Sequence, residues 1–227
     1  MRSRLESDLR EFSRHHEESR TGLIDGLARL AESRDTDTGV HLERITAYTR
    51  ILAMELRKRP ELQAVLTLEF IDEMVQSAVL HDIGKVGIPD AILQKPDKLT
   101  VDEFEVMKTH TTIGGDAIVT VESRIELNTF LRVAREIAYA HHEKWDGSGY
   151  PQGLRGDAIP LTARSVACAD VYDALTSVRP YKEAMSHATS VAIIREGAGT
   201  HFDPLIVAAF NATEQEFNLV RTELHLG

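Results

Sequence analysis

Apolar residues recur along most of this chain in steps of three and four, and strand-like alternation is scarce, which predicts a helical protein. The spacing predicts helices near 37–58, 66–82, 101–120, 128–142, 161–177, 187–196 and 204–212, preceded by a mostly polar helix over residues 1–33. That first helix carries a sparse stripe (Leu5, Leu9, Phe12, Leu23 and Leu30) in heptad-compatible steps, interrupted by His16, Ser19 and Gly26. Such a stripe suits pairing with a parallel copy of itself, a homodimer, and equally suits packing on its own domain. Three stretches read as loops: Gly87-Ile88-Pro89, Lys95-Pro96-Asp97, and a long Gly- and Pro-punctuated segment from Asp146 to Pro160. A loop of that length in a compact domain is more often functional than idle. No Gly/Ser or Pro linker and no repeat at solenoid spacing divides the chain. It reads as a helical bundle over 34–227 behind a linker or dimerisation helix at 1–33.

Composition narrows the partners. The 227 residues are 42% hydrophobic, enough for one real core, and the formal charge of −10 leaves no general basic surface for a nucleic acid polymer. An anionic substrate would therefore be drawn in by local positive groups, either bound metal ions or a few converging Lys and Arg. The single cysteine, Cys168, excludes an internal disulfide and a Cys-rich zinc site. The apolar runs are too short for a membrane span and the charged N-terminus does not read as a signal peptide, so a cytoplasmic protein is expected.

The informative polar residues are those that interrupt an apolar face. Ile71, Val75, Val79 and Asp82 share one face of the 66–82 helix, and Phe70, Met74, Ala78 and His81 share the adjoining one. Two polar groups thus continue a core-facing stripe, where burial is costly unless they are paired or bind metal. Leu131, Ala134, Ala138, His141 and His142 repeat the pattern, whereas His15-His16 sits in a charged helix with no apolar lead-in and reads as surface. His41 shares a face with Asp37, Arg44 and Tyr48. Asp170 and Asp173 lie one turn apart in the small, apolar context ARSVACADVYDAL. His110, in MKTHTTIGG, fits either a ligand or a polar helix junction. Several imidazoles and carboxylates without thiolates suit two or more divalent ions, with iron, manganese, nickel and zinc all compatible. A carboxylate-bridged pair of such ions supplies hydroxide at neutral pH and clamps phosphate oxygens. Lys85, Arg179 and Lys182 lie close in sequence to these candidates, either as cationic helpers or as ordinary surface residues.

Three segments, HDIGK (81–85), HHEKWDGSGYP (141–151) and ADVYDALTSVRPYK (169–182), occur in order between DTDTGVH and THFDP. Together they resemble the HD-GYP family of cyclic di-GMP phosphodiesterases, within the HD phosphohydrolase superfamily, over residues 21–212. The resemblance implies an all-α HD-domain bundle with extra C-terminal helices and an N-terminal linker helix. It implies that His41, His81, Asp82, His110, His141, His142 and Asp170 ligate metal, with Asp82 bridging. Lys85 is similar to a lysine at the scissile phosphate or its hydroxide, and Arg179 and Lys182 to residues holding the dinucleotide's phosphates. Asp173 resembles a carboxylate lining that pocket, and Tyr150 a residue shaping it. The activity implied is hydrolysis of cyclic di-GMP to pGpG, and on to GMP, by a bridging hydroxide between two divalent ions, iron or manganese first. The implied partners are an upstream sensor or receiver domain and a diguanylate cyclase, in bacterial second-messenger signalling. Asp37 departs from the pattern: many members carry Glu there, which recruits a third metal, and the shorter side chain implies two metals, with Asp37 behind the ligands or holding a water. Ser165 and Cys168 replace aliphatic residues. A mononucleotidase and a non-catalytic binding module remain as other readings. The GYP loop and RPYK count against the first, and the intact ligand set counts against the second.

Overall fold

The computed structural model describes residues 15, 19–34, 40–124, 129–178 and 183–224. Asp37, Arg179, Lys182 and the first part of the N-terminal stripe (Leu5, Leu9, Phe12) lie outside them. The described elements are helical, with no strand among them and one isolated bridge between Ala198 and Phe202. None of these helices is long and apolar enough to cross a membrane.

Residues 19–32 form α1. It lies on α2 (His41–Leu56) and α4 (Leu68–Ala78), where Arg29 reaches Glu43 at 2.9 Å and Arg20 donates to Gln76 at 3.2 Å. Between α2 and α4 comes the short α3 (Pro60–Gln63), which the periodicity missed. Thr67 caps α4 by accepting from the Phe70 amide, and Ile71, Met74, Val75 and Ala78 bury the face that their spacing predicts. The expected helix to residue 82 stops at Ala78. The chain tightens there into i→i−3 bonds, Leu80 to Ser77 and His81 to Ala78, and continues as a 3₁₀ turn, Ile83–Gly87.

After the short α5 (Asp90–Leu93), the single helix expected over 101–120 resolves into two. A Thr100/Glu103 capping box opens α6 (Val101–Lys108). A tight Thr109-to-Val106 bond ends it, and α7 (His110–Glu122) follows at once. The remaining helices are α8 (Thr129–Ala140), α9 (Leu161–Thr176), α10 (His187–Glu196) and α11 (Pro204–Glu223). Because α9 is packed by α2, α8, α10 and α11, small and apolar residues surround most of its circumference. The last helix runs well past its expected end at 212. Its NATEQEFN segment reads polar, yet Thr213 and Phe217 continue the buried face begun by Ile206 and Phe210, and Phe217 stacks on Tyr48 with centroids 4.5 Å apart.

Two apolar clusters result. The larger joins α2, α4, α8, α9, α10 and α11. The smaller collects Ala28 of α1 with Leu42, Val79, Leu80, Ile118 and residues of α8, so α1 shares a core with the bundle that follows it.

The 3₁₀ turn is pressed against α7 where both backbones carry glycine. A methyl group on Gly84 would sit 1.9 Å from the His110 carbonyl oxygen and 2.5 Å from the Gly114 nitrogen. Backbone atoms cannot swing aside, so Gly84→Ala is expected to destabilise the protein by about 1–3 kcal/mol. Gly26→Ala, in open space on α1, is expected to be neutral or to stabilise by up to ~1 kcal/mol. Urea unfolding midpoints of the two variants check both signs.

Candidate metal centre

Helix ends deliver most of the site. His41 opens α2, His81 and Asp82 follow α4, His110 opens α7, His141 and His142 follow α8, and Asp170 lies within α9. Four of the imidazoles are anchored through Nδ1. His81 bonds the Ala78 carbonyl at 2.9 Å, His110 the Met107 carbonyl at 2.7 Å, His141 the Ile137 carbonyl at 3.0 Å, and His41 the Asp173 carboxylate at 2.7 Å. Those oxygens only accept, so each Nδ1 carries a proton, and in the neutral ring Nε2 is left to present a lone pair.

The lone pairs converge. Nε2 of His110 and His141 are 3.4 Å apart, and they face Asp82 Oδ1 at 3.3 and 3.6 Å. On the other side, His81 Nε2 lies 3.3 Å from Asp82 Oδ2, and His41 Nε2 lies 4.0 Å from Asp170 Oδ1. Two groups of donors emerge, Asp82 with His110, His141 and His142, and His41 with His81 and Asp170, each offering ligand atoms within 4.8 Å of one another. An ion about 2.1 Å from every ligand spaces neighbouring ligands roughly 3.0–3.4 Å apart, which is close to the spacing around Asp82 Oδ1. Buried His81 Nε2 and Asp82 Oδ1 make no hydrogen bond. Acceptors facing acceptors call for a cation, and the donor set fits a divalent one.

The electrostatics differ between the two sides of Asp82. Burial alone would lower the His81 imidazole, but the Asp82 charge overrides it and lifts the group to about 9. Burial works to raise Asp82, yet Lys85 and His81 hold its carboxyl well below the usual range. Burial brings His110 down to about 4 and His142 well below its ordinary value, so both stay neutral and able to ligate. A cation binding here displaces protons from the His81 side and meets ready lone pairs on the His110 side.

The remaining expectations fare differently. Lys85 extends from the 3₁₀ turn to place Nζ 2.8 Å from Asp82 Oδ2. Tyr150 lies over the edge of the site, its ring centroid 4.8 Å from that of His142, and Glu143 holds the loop by accepting from the amides of Gln152 and Leu154. Asp173 corrects its expected role as a pocket-lining carboxylate. It is 1% exposed, lies behind His41, and forms a two-pronged ion pair with Arg44. Burial opposes its ionisation, but Arg44 and His41 bring it down to about 2.

Sequence reasoning missed three residues. Arg44 was noted only as a neighbour of His41. Arg34 donates to the carbonyls of Lys85, Val86 and Ile88 and to Asp90, tying the end of α1 to the turn that carries the lysine. Glu32, at the end of α1, has Oε1 3.8 Å from His41 Nε2. The available signal was its place one turn after Ala28, on the face α1 buries.

Comparison with known proteins shows the family and the fold. The model of a family described as HD domain matches residues 25–206. A cyclic di-GMP phosphodiesterase of Vibrio cholerae is 52% identical over 199 residues, covering 88% of this chain and 40% of the relative. A 3'3'-cGAMP-specific phosphodiesterase of the same organism is 38% identical over 217 residues, covering 96% of this chain and 38% of the relative. The chain therefore spans about two fifths of the length of these relatives. In fold, it is similar to the crystal structure of a cyclic GMP-AMP-specific phosphodiesterase from V. cholerae, with a TM-score of 0.59 at 18% identity, covering 89% of this chain and 53% of that one.

Asp173→Asn is expected to keep the side chain's shape while removing the charge that holds the His41 Nδ1 proton. Metal affinity should fall by about 10–100-fold, with little change in substrate KM once metal is restored. Competitive chelation followed by kinetics at saturating metal separates this outcome from a pocket-lining role, which would raise KM instead.

Proposed function

The chain belongs to the HD domain family, in its HD-GYP branch, and on that premise we propose that it hydrolyses cyclic di-GMP to linear pGpG. The observation that carries this reading is the convergence of histidine Nε2 lone pairs on Asp82 with the Lys85 ammonium beside it. We take the centre to hold two divalent ions, one at each donor group, with iron or manganese preferred and nickel or zinc compatible with the same ligands. Such ions, when bound, supply a nucleophilic hydroxide at neutral pH and neutralise phosphate oxygens. The chain's own contribution is to hold the ligands in one tautomer and to offer Lys85 to the phosphate as charge accumulates. Arg179 and Lys182 are assigned to the substrate's other phosphate, and Asp37 to a supporting place rather than to a third ion. The second cut, to GMP, needs the flexible linear product to rebind and should be slower. The setting we infer is cytoplasmic second-messenger signalling, with sensor or receiver input and a cyclase as counterpart.

A second reading has specific support, since one relative is named for 3'3'-cGAMP. Protein purified without oxygen or chelators, assayed for metal and then given each dinucleotide in turn, decides between them. Accumulation of pGpG from cyclic di-GMP is expected. Hydrolysis of 3'3'-cGAMP alone would favour the second reading, and hydrolysis of neither by metal-loaded protein would reduce the chain to a binding module. Arg179→Ala and Lys182→Ala should retain metal yet each lose about 1–3 kcal/mol of transition-state binding.

A homodimer through α1 belongs to the same proposal. Leu23, Leu27 and Leu30 are 67%, 51% and 66% exposed and fall in steps of four and three, the spacing of a coiled-coil seam. Removing the whole helix would also strip Ala28 and Ala31 from the core, so point changes test the idea better. Replacing Leu23 and Leu30 together by Glu should shift the light-scattering mass from dimer to monomer, and an unchanged mass would reject the seam.

A further inference from the structure

The two donor groups are unequal. Asp82, His110, His141 and His142 form a set of four, whereas His41, His81 and Asp170 form a set of three. Around the smaller set, His41 is the fixed point: its Nδ1 is committed to Asp173, so Nε2 alone faces the site. Two carboxylates approach that nitrogen from opposite ends of the sequence, Asp170 at 4.0 Å and Glu32 at 3.8 Å. Ligands of one ion at about 2.1 Å stand roughly 3.0 Å apart when adjacent and 4.2 Å when opposite, and both separations fall inside that interval. Glu32 is 9% exposed, and it reaches the site from the last helical residue of α1, whose Ala28 and Ala31 are packed into the bundle. Glu32 stands outside the 4.8 Å set that His41, His81 and Asp170 form, so its side chain has to swing toward the ion to join them.

We propose that Glu32 is the fourth protein ligand of the ion held by His41, His81 and Asp170. The donor set becomes two imidazoles and two carboxylates, harder than the three-histidine set around Asp82, so the two sites differ in metal preference. An oxygen-rich site favours manganese or ferrous iron, and the imidazole-rich site tolerates softer ions. Glu32 lies outside the HDIGK and GYP segments, and it belongs to the helix that leads into the domain.

The inference rests on the two-ion reading, and one experiment keeps the two apart. The metal-free full chain is titrated with Co²⁺, followed by its visible absorption, and bound metal is counted after gel filtration. The parent should bind two equivalents; one or none removes the two-ion reading and this inference with it. With two bound by the parent, Glu32→Gln, which keeps the side-chain shape, should hold one equivalent as before. Its second should weaken at least about tenfold and lose the corresponding part of the cobalt spectrum. Glu32→Asp, one methylene shorter, should fall between the two, and circular dichroism of the metal-free variants checks that each is folded. Two equivalents bound by Glu32→Gln with parental affinity and spectrum would overturn the assignment while leaving the two-ion reading intact. If Glu32→Gln fails to fold, parental affinity and spectrum in Glu32→Asp overturn it just the same.

Discussion

Lone pairs aimed at one another do not coexist in a dry interior without something positive between them. That constraint organises this molecule: His110, His141 and His81 each give their Nδ1 proton to a backbone carbonyl within their own helical turn, and are left with Nε2 turned inward toward Asp82. The turn chemistry explains the backbone. Where α4 and α6 end in i→i−3 bonds, the tightened turns bring a carbonyl within reach of the imidazole that follows. Helix termination and tautomer selection are thus one event, and the glycines that let the 3₁₀ turn touch α7 bring the two halves of the site together.

His41 solves the same problem by other means. As the first residue of α2 it has no preceding helical carbonyl to use, and Asp173 from α9 takes that role. A buried carboxylate needs compensation of its own, and Arg44, one turn along α2, supplies two charged hydrogen bonds. The triad therefore commits two further buried groups, Asp173 and Arg44, to orienting a single ring. Replacing one member strands the others, and Asp173 stays buried behind His41.

Much of this was legible in the sequence where polar residues extended an apolar stripe. His81, Asp82, His141 and His142 were found that way, and the structure brings them together with His41, His110 and Asp170. Other features depended on quantities that periodicity does not carry. Asp170 and Asp173 are three residues apart, hence about 60° apart around α9, and that angle sends one to the donor group and the other behind His41. The break at Thr109 arises from a local change of hydrogen-bond register inside a continuous polar pattern. The extension of α11 hinges on Phe217 finding Tyr48 across the bundle, a partner 169 positions away. Glu32 drew no attention in the sequence because its contact with His41 depends on how α1 and α2 pack, which periodicity does not carry.

The end of α1 touches both halves of the centre. Glu32 stands 3.8 Å from His41 Nε2, while Arg34, two residues on, grips the carbonyls of the turn that presents Lys85. Farther back along the same helix, Arg20 and Arg29 fasten it to α4 and α2, and Leu23, Leu27 and Leu30 face outward. Metal–ligand distances tolerate only about 0.2 Å of error. A rigid helix transmits an axial shift or rotation almost undiminished to its last turn, so a displacement that is trivial at the exposed leucines is large on the scale that ligation permits. The lysine turn moves with the same helix through a different set of bonds. With Glu32 ligating as proposed, whatever holds the outer face of α1 acts on ligand geometry and on the placement of the ammonium through the same helix.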